Sequence, residues 1–237
     1  MRLTPDNLVL LEWAGWSLNA TMVYTWVVMA ILVGVARVVT LRLTSAERPS
    51  RWQTLLEVLV TGMREQIRQV SQQEPGRYLP FIGSLFLFIA TSNALAIVPG
   101  FLPPTGSLST TTALALCVFV AVPIYGIVER GLAGYLRTYL QPTFLMMPFN
   151  ILGEVTRTLA LAVRLYGNVM SGTILAALLI SIVPFFFPVL MQLLGLLTGL
   201  IQAYIFAVLA MVYIAAATRA HAPSTGVADT PGANTPN

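Results

Sequence analysis

Long apolar runs that carry no charge limit what this chain can fold into more than any other feature of its sequence. Neither residues 16–36 nor residues 189–218 contain a charged side chain. A transmembrane helix needs about 20 consecutive, mostly apolar residues, and a helix satisfies its own backbone hydrogen bonds in lipid. Charged residues make up 9% of the chain, against about 25% in soluble domains. The sequence therefore predicts an all-α polytopic membrane protein.

The arginines indicate how the spans cross the membrane. All 13 basic residues are arginines, and most stand in loops beside apolar runs, which is the usual topology signal and not a sign of nucleic-acid binding. The first predicted span, residues 16–36, is followed by four of them: Arg37, Arg42, Arg48 and Arg51. The positive-inside rule places this segment in the cytoplasm and residues 1–15 outside.

A different pattern begins at residue 51. Apolar residues recur at helical spacing through residues 51–74, between charged ones such as Glu57 and Arg64. This pattern predicts an amphipathic helix on the cytoplasmic interface rather than a span. Pro80 opens the next span, which crosses outward over residues 81–98, and the uncharged, Pro- and Gly-rich residues 99–109 are expected to turn outside.

The remaining segments complete a single membrane domain over residues 16–220. Residues 110–128 are predicted to span back inward, and a second cytoplasmic loop is marked by Glu129, Arg130 and Arg137. The single cysteine, Cys117, lies in this apolar run and is expected to pack there. Asp6 and Glu12 precede the first run, so no cleaved signal peptide is expected. Residues 221–237 are expected to form a disordered cytoplasmic tail.

Two unusually long segments make up the last third of the chain. No proline interrupts residues 149–183, and the predicted helix from residue 148 to 183 would be about 54 Å long, against a hydrocarbon core of about 30 Å. The next helix, residues 189–219, is also too long to stand upright, and "PFFFP" at 184–188 makes the turn between them. We therefore expect a long tilted hairpin over residues 148–219, giving about five membrane helices and one interfacial helix.

One face of the first long helix is polar. It carries Glu154, Arg157, Arg164, Asn168 and Ser171 at helical same-face spacings of 3, 7, 4 and 3. Glu154 and Arg157 are spaced to pair, and as a pair they would also serve simply to anchor the helix at the interface. Arg164 has no acid within four residues, and a charge at the bilayer centre costs on the order of 3 kcal/mol. Its counter-charge is therefore expected either in another apolar span of this chain or on another chain.

Polar residues also stand in the second long helix, at Gln192, Thr198, Gln202 and Tyr204. Gly195 and Gly199 form a small-xxx-small pattern, which lets another helix approach closely. Ordinary helix packing is the interpretation that we favour for the two glycines.

The segments "RTLALAVRLYGNVMSG" and "LIQAYIFAVLAMVYIAAA" resemble subunit a of the rotary F-type ATP synthases, and residues 92–116 resemble the family's third and fourth helices. The resemblance implies that Arg164 is the essential stator arginine and that Asn168 and Gln202 are polar positions near it. It implies a ring of c subunits whose carboxylates pair with Arg164 in turn, b-type peripheral stalk subunits, the rest of the synthase, and a bacterial inner membrane with the C-terminus cytoplasmic.

The residues expected to serve ion translocation are Arg164, Asn168, Gln202, Glu154, Arg157, Ser171, Thr173 and Tyr204. The resemblance implies two half-channels that load and unload the rotor carboxylates, and a non-catalytic subunit with no metal or cofactor. Many proton-translocating members have an acid where this chain has Thr173, a histidine at Gly195, and an acid at Ala96. H⁺ and Na⁺ both remain open as the coupling ion, and the sparse acids resemble the alternative sodium-type branch.

Two other classes of membrane protein also place charge in the bilayer. A secondary transporter or ion channel is the alternative, but transporters usually show internal repeats or discontinuous helices, and neither is evident in this sequence. An intramembrane enzyme is less favoured, because the single histidine, His221, follows the last helix and no nucleophile–base pair or metal-ligand cluster is evident.

Overall fold

A computed structural model describes residues 9–13, 16–41, 51–72, 74–98, 100–140, 147–182 and 187–218 of the chain. Within these ranges the regular structure is helical apart from one short hairpin, so the predicted all-α class is confirmed. The helices are α1 (Ala20–Leu41), α2 (Arg51–Ser71), α3 (Leu79–Leu95), α4 (Leu108–Leu140), α5 (Met147–Ile182) and α6 (Phe187–Thr218). The predicted tail at 221–237 and most of the predicted turn at 184–188 lie outside the described residues.

Four of these helices are long and apolar enough to cross a membrane. The candidate spans are Ala20–Val38, Leu108–Leu136, Met147–Leu179 and Val189–Thr218. The helix α3 is apolar but has 17 residues, close to the minimum that a bilayer requires. The chain is therefore a multi-pass membrane protein, and α3 with the four long spans accounts for the five membrane helices that the sequence predicts.

The first span begins later than the sequence predicts. Residues 16–19 are not helical but form strand β2 (Trp16–Asn19), which pairs antiparallel with β1 (Val9–Trp13). The expectation that the span starts at Trp16 is therefore wrong, and α1 begins at Ala20. Pairing with an earlier segment satisfies the backbone of residues 16–19 without a helix.

The amphipathic helix predicted at residues 51–74 is α2, which ends at Ser71. Its apolar side packs against α3 and α6, and Ile67 is buried in the common core. Met63 approaches α3 closely enough that a Cβ on Gly83 would lie 3.6 Å from its sulfur. The helix is therefore an integral layer of the bundle.

The helix α4 continues past the predicted end of its span. We expected a loop from Glu129 onward, and this expectation is wrong, because the helix runs to Leu140. The helix is broken at one residue, Gly131. Gly131 has φ 75° and ψ 161°, a backbone conformation that is essentially restricted to glycine. The Tyr135 ring then folds back so closely that a Cβ on Gly126 would lie 2.6 Å from it. Cys117, for which a packing role was expected, has its side chain exposed on α4.

The last two helices have the predicted lengths and form the predicted hairpin. α5 has 36 residues and α6 has 32, or about 54 and 48 Å at 1.5 Å per residue. They contact each other, and α6 also packs against α2, α3 and α4. The fully buried side chains at the centre of this bundle include Ile89, Leu165, Phe206, Met211 and Ile214.

The two ends of the bundle differ in charge. At one end, which we call the charged end, Arg77 forms an ion pair with Glu129, and Arg130 Nε donates to the carbonyl oxygen of Thr218 at 3.3 Å. At the other end, which we call the loop end, the Tyr24 hydroxyl donates to the carbonyl oxygen of Gly100 at 3.1 Å. The connection between α3 and α4 therefore lies beside the start of α1.

Candidate functional site

Arg164 points outward from the bundle. It lies near the middle of α5, and its side chain is exposed, whereas Leu161, Ala162 and Leu165 around it are buried. Among the residues that the structure describes, no hydrogen bond or ion pair joins its guanidinium. Because a guanidinium stays protonated in proteins, the exposed face of α5 presents a fixed positive charge.

Small side chains surround Arg164 on this exposed face. Thr156, Ala160, Gly167 and Ser171 are all exposed, and together with Arg164 they follow one another at intervals of three or four residues along α5. Small residues on a membrane helix let another helix approach its backbone closely. The face therefore allows another helix to approach α5 closely.

Two contacts between α5 and α6 set the register of the hairpin. The Asn168 amide donates to the carbonyl oxygen of Thr198 at 3.4 Å, and the Arg157 guanidinium lies 5.8 Å from the centre of the Tyr213 ring. In this antiparallel register Gln202 lies at the level of Arg164. Gln202 is 6% exposed, so a buried amide of α6 stands at the same level along the hairpin as the exposed arginine of α5.

A polar cavity of about 430 Å³ lies between α4, α5 and α6 toward the charged end of the bundle. We call it the α4 cavity, and it is lined in part by Tyr135, Asn150, Glu154, Arg157 and Tyr213. The expected ion pair between Glu154 and Arg157 is wrong, because no such pair within 4 Å occurs in the described part of the chain and Arg157 lies over Tyr213 instead. Both residues nevertheless line the same cavity.

A second cavity, of about 370 Å³, opens toward the loop end. We call it the loop cavity, and its polar lining comes from Asn93, Asn168, Ser171, Thr173, Gln192 and Thr198. Its described lining contains no Asp, Glu or His. Five of the polar positions predicted from the two long helices, Asn168, Ser171, Thr173, Gln192 and Thr198, thus meet in one neutral, hydrogen-bonding cavity.

Arg164 stands between the two cavities along α5. Arg157 at the α4 cavity is about 10 Å away along the helix axis, and Asn168 at the loop cavity is about 6 Å away in the other direction. No described residue lines both cavities. A fixed positive charge therefore separates two polar recesses that open toward opposite ends of the bundle.

Tyr204 does not join this cluster. Its hydroxyl donates to Gln66 Oε1 of α2 at 2.8 Å, 138 residues away in sequence. The two side chains stand at the rim of an apolar cavity of about 220 Å³ between α2, α3 and α6. The structure thus separates Tyr204 from the polar face of α5 with which it was grouped.

Asn93 is a site residue that the sequence reasoning did not select. It is 4% exposed, and its amide nitrogen donates to the carbonyl oxygen of Gly199 at 2.8 Å. Its amide oxygen accepts a hydrogen bond from the Thr105 hydroxyl at 2.7 Å. The signal was present in the sequence, because an amide in the apolar run of α3 must find partners at membrane depth.

The close approach predicted for the glycine pair occurs at Gly199, whereas Gly195 faces open space.

The described residues offer no group of three or more His, Cys, Asp or Glu side chains that would hold a metal ion. The polar chemistry of both cavities therefore rests on amides, hydroxyls, one carboxylate and one guanidinium.

Comparison with known proteins gives consistent matches over most of the chain. A family model described as ATP synthase A chain matches residues 22–215. ATP synthase subunit a 2 of Acaryochloris marina is 59% identical over 219 residues, which cover 92% of this chain and 94% of that protein. ATP synthase subunit a of Albidiferax ferrireducens is 53% identical over 223 residues, covering 94% and 96%. ATP synthase subunit a 1 of Chlorobaculum parvum is 57% identical over 225 residues, covering 95% and 100%.

Proposed function

The chain belongs to the ATP synthase A chain family, and from that premise we propose that it couples ion flow to rotation through Arg164 and two half-channels. In this proposal it is the ion-translocating stator subunit of an F-type ATP synthase. Membership of the family favours this function over the secondary transporter or channel that the intramembrane charge alone left open.

The exposed, unpaired state of Arg164 within the described chain is the observation that carries the proposal. A membrane protein gains nothing by holding a solitary cation against lipid. A carboxylate on a partner helix would remove that cost, and the small residues around Arg164 would allow the helix to come close. A ring of c subunits would present such carboxylates one after another.

The two cavities are suited to act as half-channels. An ion that enters through one of them neutralises a rotor carboxylate, and the neutral site can then enter lipid. When the site reaches the other cavity, Arg164 stabilises the ionised carboxylate and thereby favours release of the ion. The driving force is about 2.3 kcal/mol per charge for each 100 mV of membrane potential.

Arg164 would also prevent a leak between the cavities. It lies between them along α5, and its charge repels a cation that would pass directly from one to the other. Ion flow would then require rotation of the ring, which is the coupling that ATP synthesis depends on.

The neutral lining of the loop cavity leaves the choice between H⁺ and Na⁺ to the rotor. Thr173, Gly195 and Ala96 all line this cavity, and none is a titratable residue. Amide and hydroxyl groups solvate water, Na⁺ or a hydrated proton without binding one selectively. The ligands around the carboxylate of the c subunit are therefore expected to select the ion.

The proposed setting is a bacterial inner membrane, with the N-terminus outside, the C-terminus cytoplasmic, and b-type stalk subunits and the rest of the synthase as partners. The support is the arginine asymmetry of the sequence and the charged end of the bundle. Cysteines introduced at Ser45 and Ser224 should resist a membrane-impermeant thiol reagent in intact cells. Efficient labelling of either residue from outside would reverse the proposed orientation.

Replacement of Arg164 by alanine tests the central assignment. The Arg164→Ala complex should assemble, because the change removes an exposed charge and no buried side chain, but it should lose ATP synthesis in vesicles under an imposed ion gradient. Val163→Ala, at an exposed apolar neighbour, is the matched control and should retain synthesis. Near-normal synthesis by a fully assembled Arg164→Ala complex would refute the proposed role.

A further inference from the structure

The helix α6 is held from two sides at consecutive backbone carbonyls. Asn168 of α5 donates to the carbonyl oxygen of Thr198, and Asn93 of α3 donates to that of Gly199. Each carbonyl oxygen has a second lone pair, so it accepts a side-chain amide in addition to its own helical N–H. The helices α5 and α3 thus bind neighbouring backbone positions of α6.

The orientation of the Asn93 amide is fixed at both of its ends. The Gly199 carbonyl only accepts hydrogen bonds, so the amide nitrogen must face it. The amide oxygen then faces the Thr105 hydroxyl, and Thr105 is 0% exposed. A buried amide with both ends satisfied holds its neighbours in one arrangement, because moving them leaves polar groups unpaired.

The backbones around this amide are in close contact. A Cβ on Gly199 would lie 2.8 Å from the Cβ of Asn93, and a Cβ on Gly106 would lie 3.2 Å from Val169 of α5. Val169 follows Asn168, so the contacts close a ring from α3 to α6, α5, the α3–α4 connection and back to α3. The ring leaves α6 little freedom to slide against α5.

This closed set of contacts determines the height of Gln202 along α6 relative to Arg164 on α5. In an α-helix the Thr198 carbonyl accepts the N–H of Gln202, and Asn168 stands about one turn from Arg164. A slip of α6 by one residue would move Gln202 by about 1.5 Å and turn its side chain by about 100°. The buried amide would then no longer stand at the level of the arginine or point in the same direction.

We propose that Asn93 is a positioning residue for ion translocation, a role that rests on the function proposed above. It locks the α5–α6 register through Gly199 and so keeps Gln202 at the level of Arg164, without itself meeting the rotor carboxylate.

The test uses the whole ATP synthase with two independent readouts. The first is ATP-driven ion pumping into vesicles, divided by the rate of ATP hydrolysis. The second is the pattern of disulfides between a cysteine at Ser171 and cysteines placed in turn at Leu194, Gly195 and Leu196, in a Cys117→Ala background. This pattern reports the register of the hairpin and needs no ion transport.

In Asn93→Ala we expect pumping per ATP to fall by roughly tenfold, since a buried hydrogen-bonded amide is lost, and the disulfides to spread from one favoured pair over its neighbours. The control is Ser92→Ala, because Ser92 is also 0% exposed and its hydroxyl donates to the carbonyl oxygen of Phe88 in its own helix at 2.7 Å. It should change neither readout. Unchanged pumping or an unchanged disulfide pattern in an assembled Asn93→Ala complex would overturn the proposal.

If Asn93→Ala fails to assemble, Thr105→Val tests the positioning role of Asn93 instead. This change keeps the shape of the side chain and removes the hydroxyl that holds the amide oxygen, so it should shift both readouts in the same direction but less. Parental values for both would overturn the proposal. Normal pumping by Arg164→Ala would instead refute the proposed function, while the disulfide pattern would still show whether Asn93 sets the register.

Discussion

The guanidinium of Arg157 lies over the ring of Tyr213, 5.8 Å from its centre, and joins α5 to α6 at the α4 cavity. A cation–π contact at an exposed site contributes about 0.5–1 kcal/mol. Arg157 therefore has a partner within the chain, whereas Arg164 has no hydrogen bond or ion pair in the described residues. The two arginines stand seven residues apart on one helix and are expected to differ in function.

Arg157→Gln should retain measurable coupled ion transport. The substitution removes a modest contact and leaves the fixed charge between the cavities in place, so we expect reduced rates and preserved coupling. Ion-driven ATP synthesis in vesicles, with assembly checked by blotting, measures the effect. Tyr213→Leu removes the same contact from the other side and should behave similarly. Complete loss of synthesis in an assembled Arg157→Gln complex would mean that the polar face works as one unit.

Tyr204→Phe should lower stability without uncoupling the complex. The change removes the hydrogen bond to Gln66 that links α6 to α2, and such a bond contributes about 0.5–1.5 kcal/mol. The thermal midpoint of the purified complex should therefore fall slightly while pumping per ATP stays unchanged. Tyr213→Phe, which keeps its ring over Arg157, serves as the control. If the Tyr204→Phe complex assembles normally but no longer pumps ions, Tyr204 takes part in ion translocation after all.

The hairpin of α5 and α6 was predictable because its cause is local. Long apolar runs without prolines form helices wherever they lie, and the spacing of polar residues fixes which of them share a face. The sequence therefore predicted both lengths closely, and it predicted Arg164, Asn168 and Ser171 on one face. The structure adds that Asn168 and Ser171 belong to the loop cavity, whereas Arg157 belongs to the α4 cavity.

Three of the differences between prediction and structure concern contacts with other segments of the chain. Strand β2 forms because residues 9–13 pair with it, and no periodicity within residues 16–19 reveals that partner. Tyr204 bonds to Gln66 across 138 residues, and Asn93 bonds to Gly199 across 106. Helical spacing orders residues around one helix but does not say which neighbour each face meets.

Gly131→Ala should destabilise the chain by about 1–3 kcal/mol, because the break in α4 requires a backbone conformation that residues with a side chain rarely adopt. Lower amounts of assembled complex in the membrane and a lower thermal midpoint should report the loss. Gly134→Ala is the matched control in the same helix, where the added Cβ would lie 3.4 Å from that of Arg130. Equal stability of the two variants would show that the break at Gly131 is not needed.

Arg164→Lys should fail although it preserves the charge. A lysine ammonium is a point charge without the planar fork of a guanidinium, and its pKa falls readily when water is excluded. Against a rotor helix in the membrane, a lysine would lose its proton to the carboxylate or pair with it in a different geometry, so release of the ion would no longer be driven. We expect the assembled variant to lose ATP synthesis under an imposed gradient.

Arg68→Lys, at an exposed arginine of α2, controls for the general effect of exchanging the two side chains and should retain full synthesis. The two variants together separate the effect of the positive charge from the effect of the guanidinium group that carries it. If Arg164→Lys synthesises ATP at the parental rate, a positive charge alone is sufficient at this position, and the guanidinium has no special role. If it fails while Arg164→Ala also fails, a positive charge alone is not sufficient at this position, and the guanidinium itself is required between the two cavities.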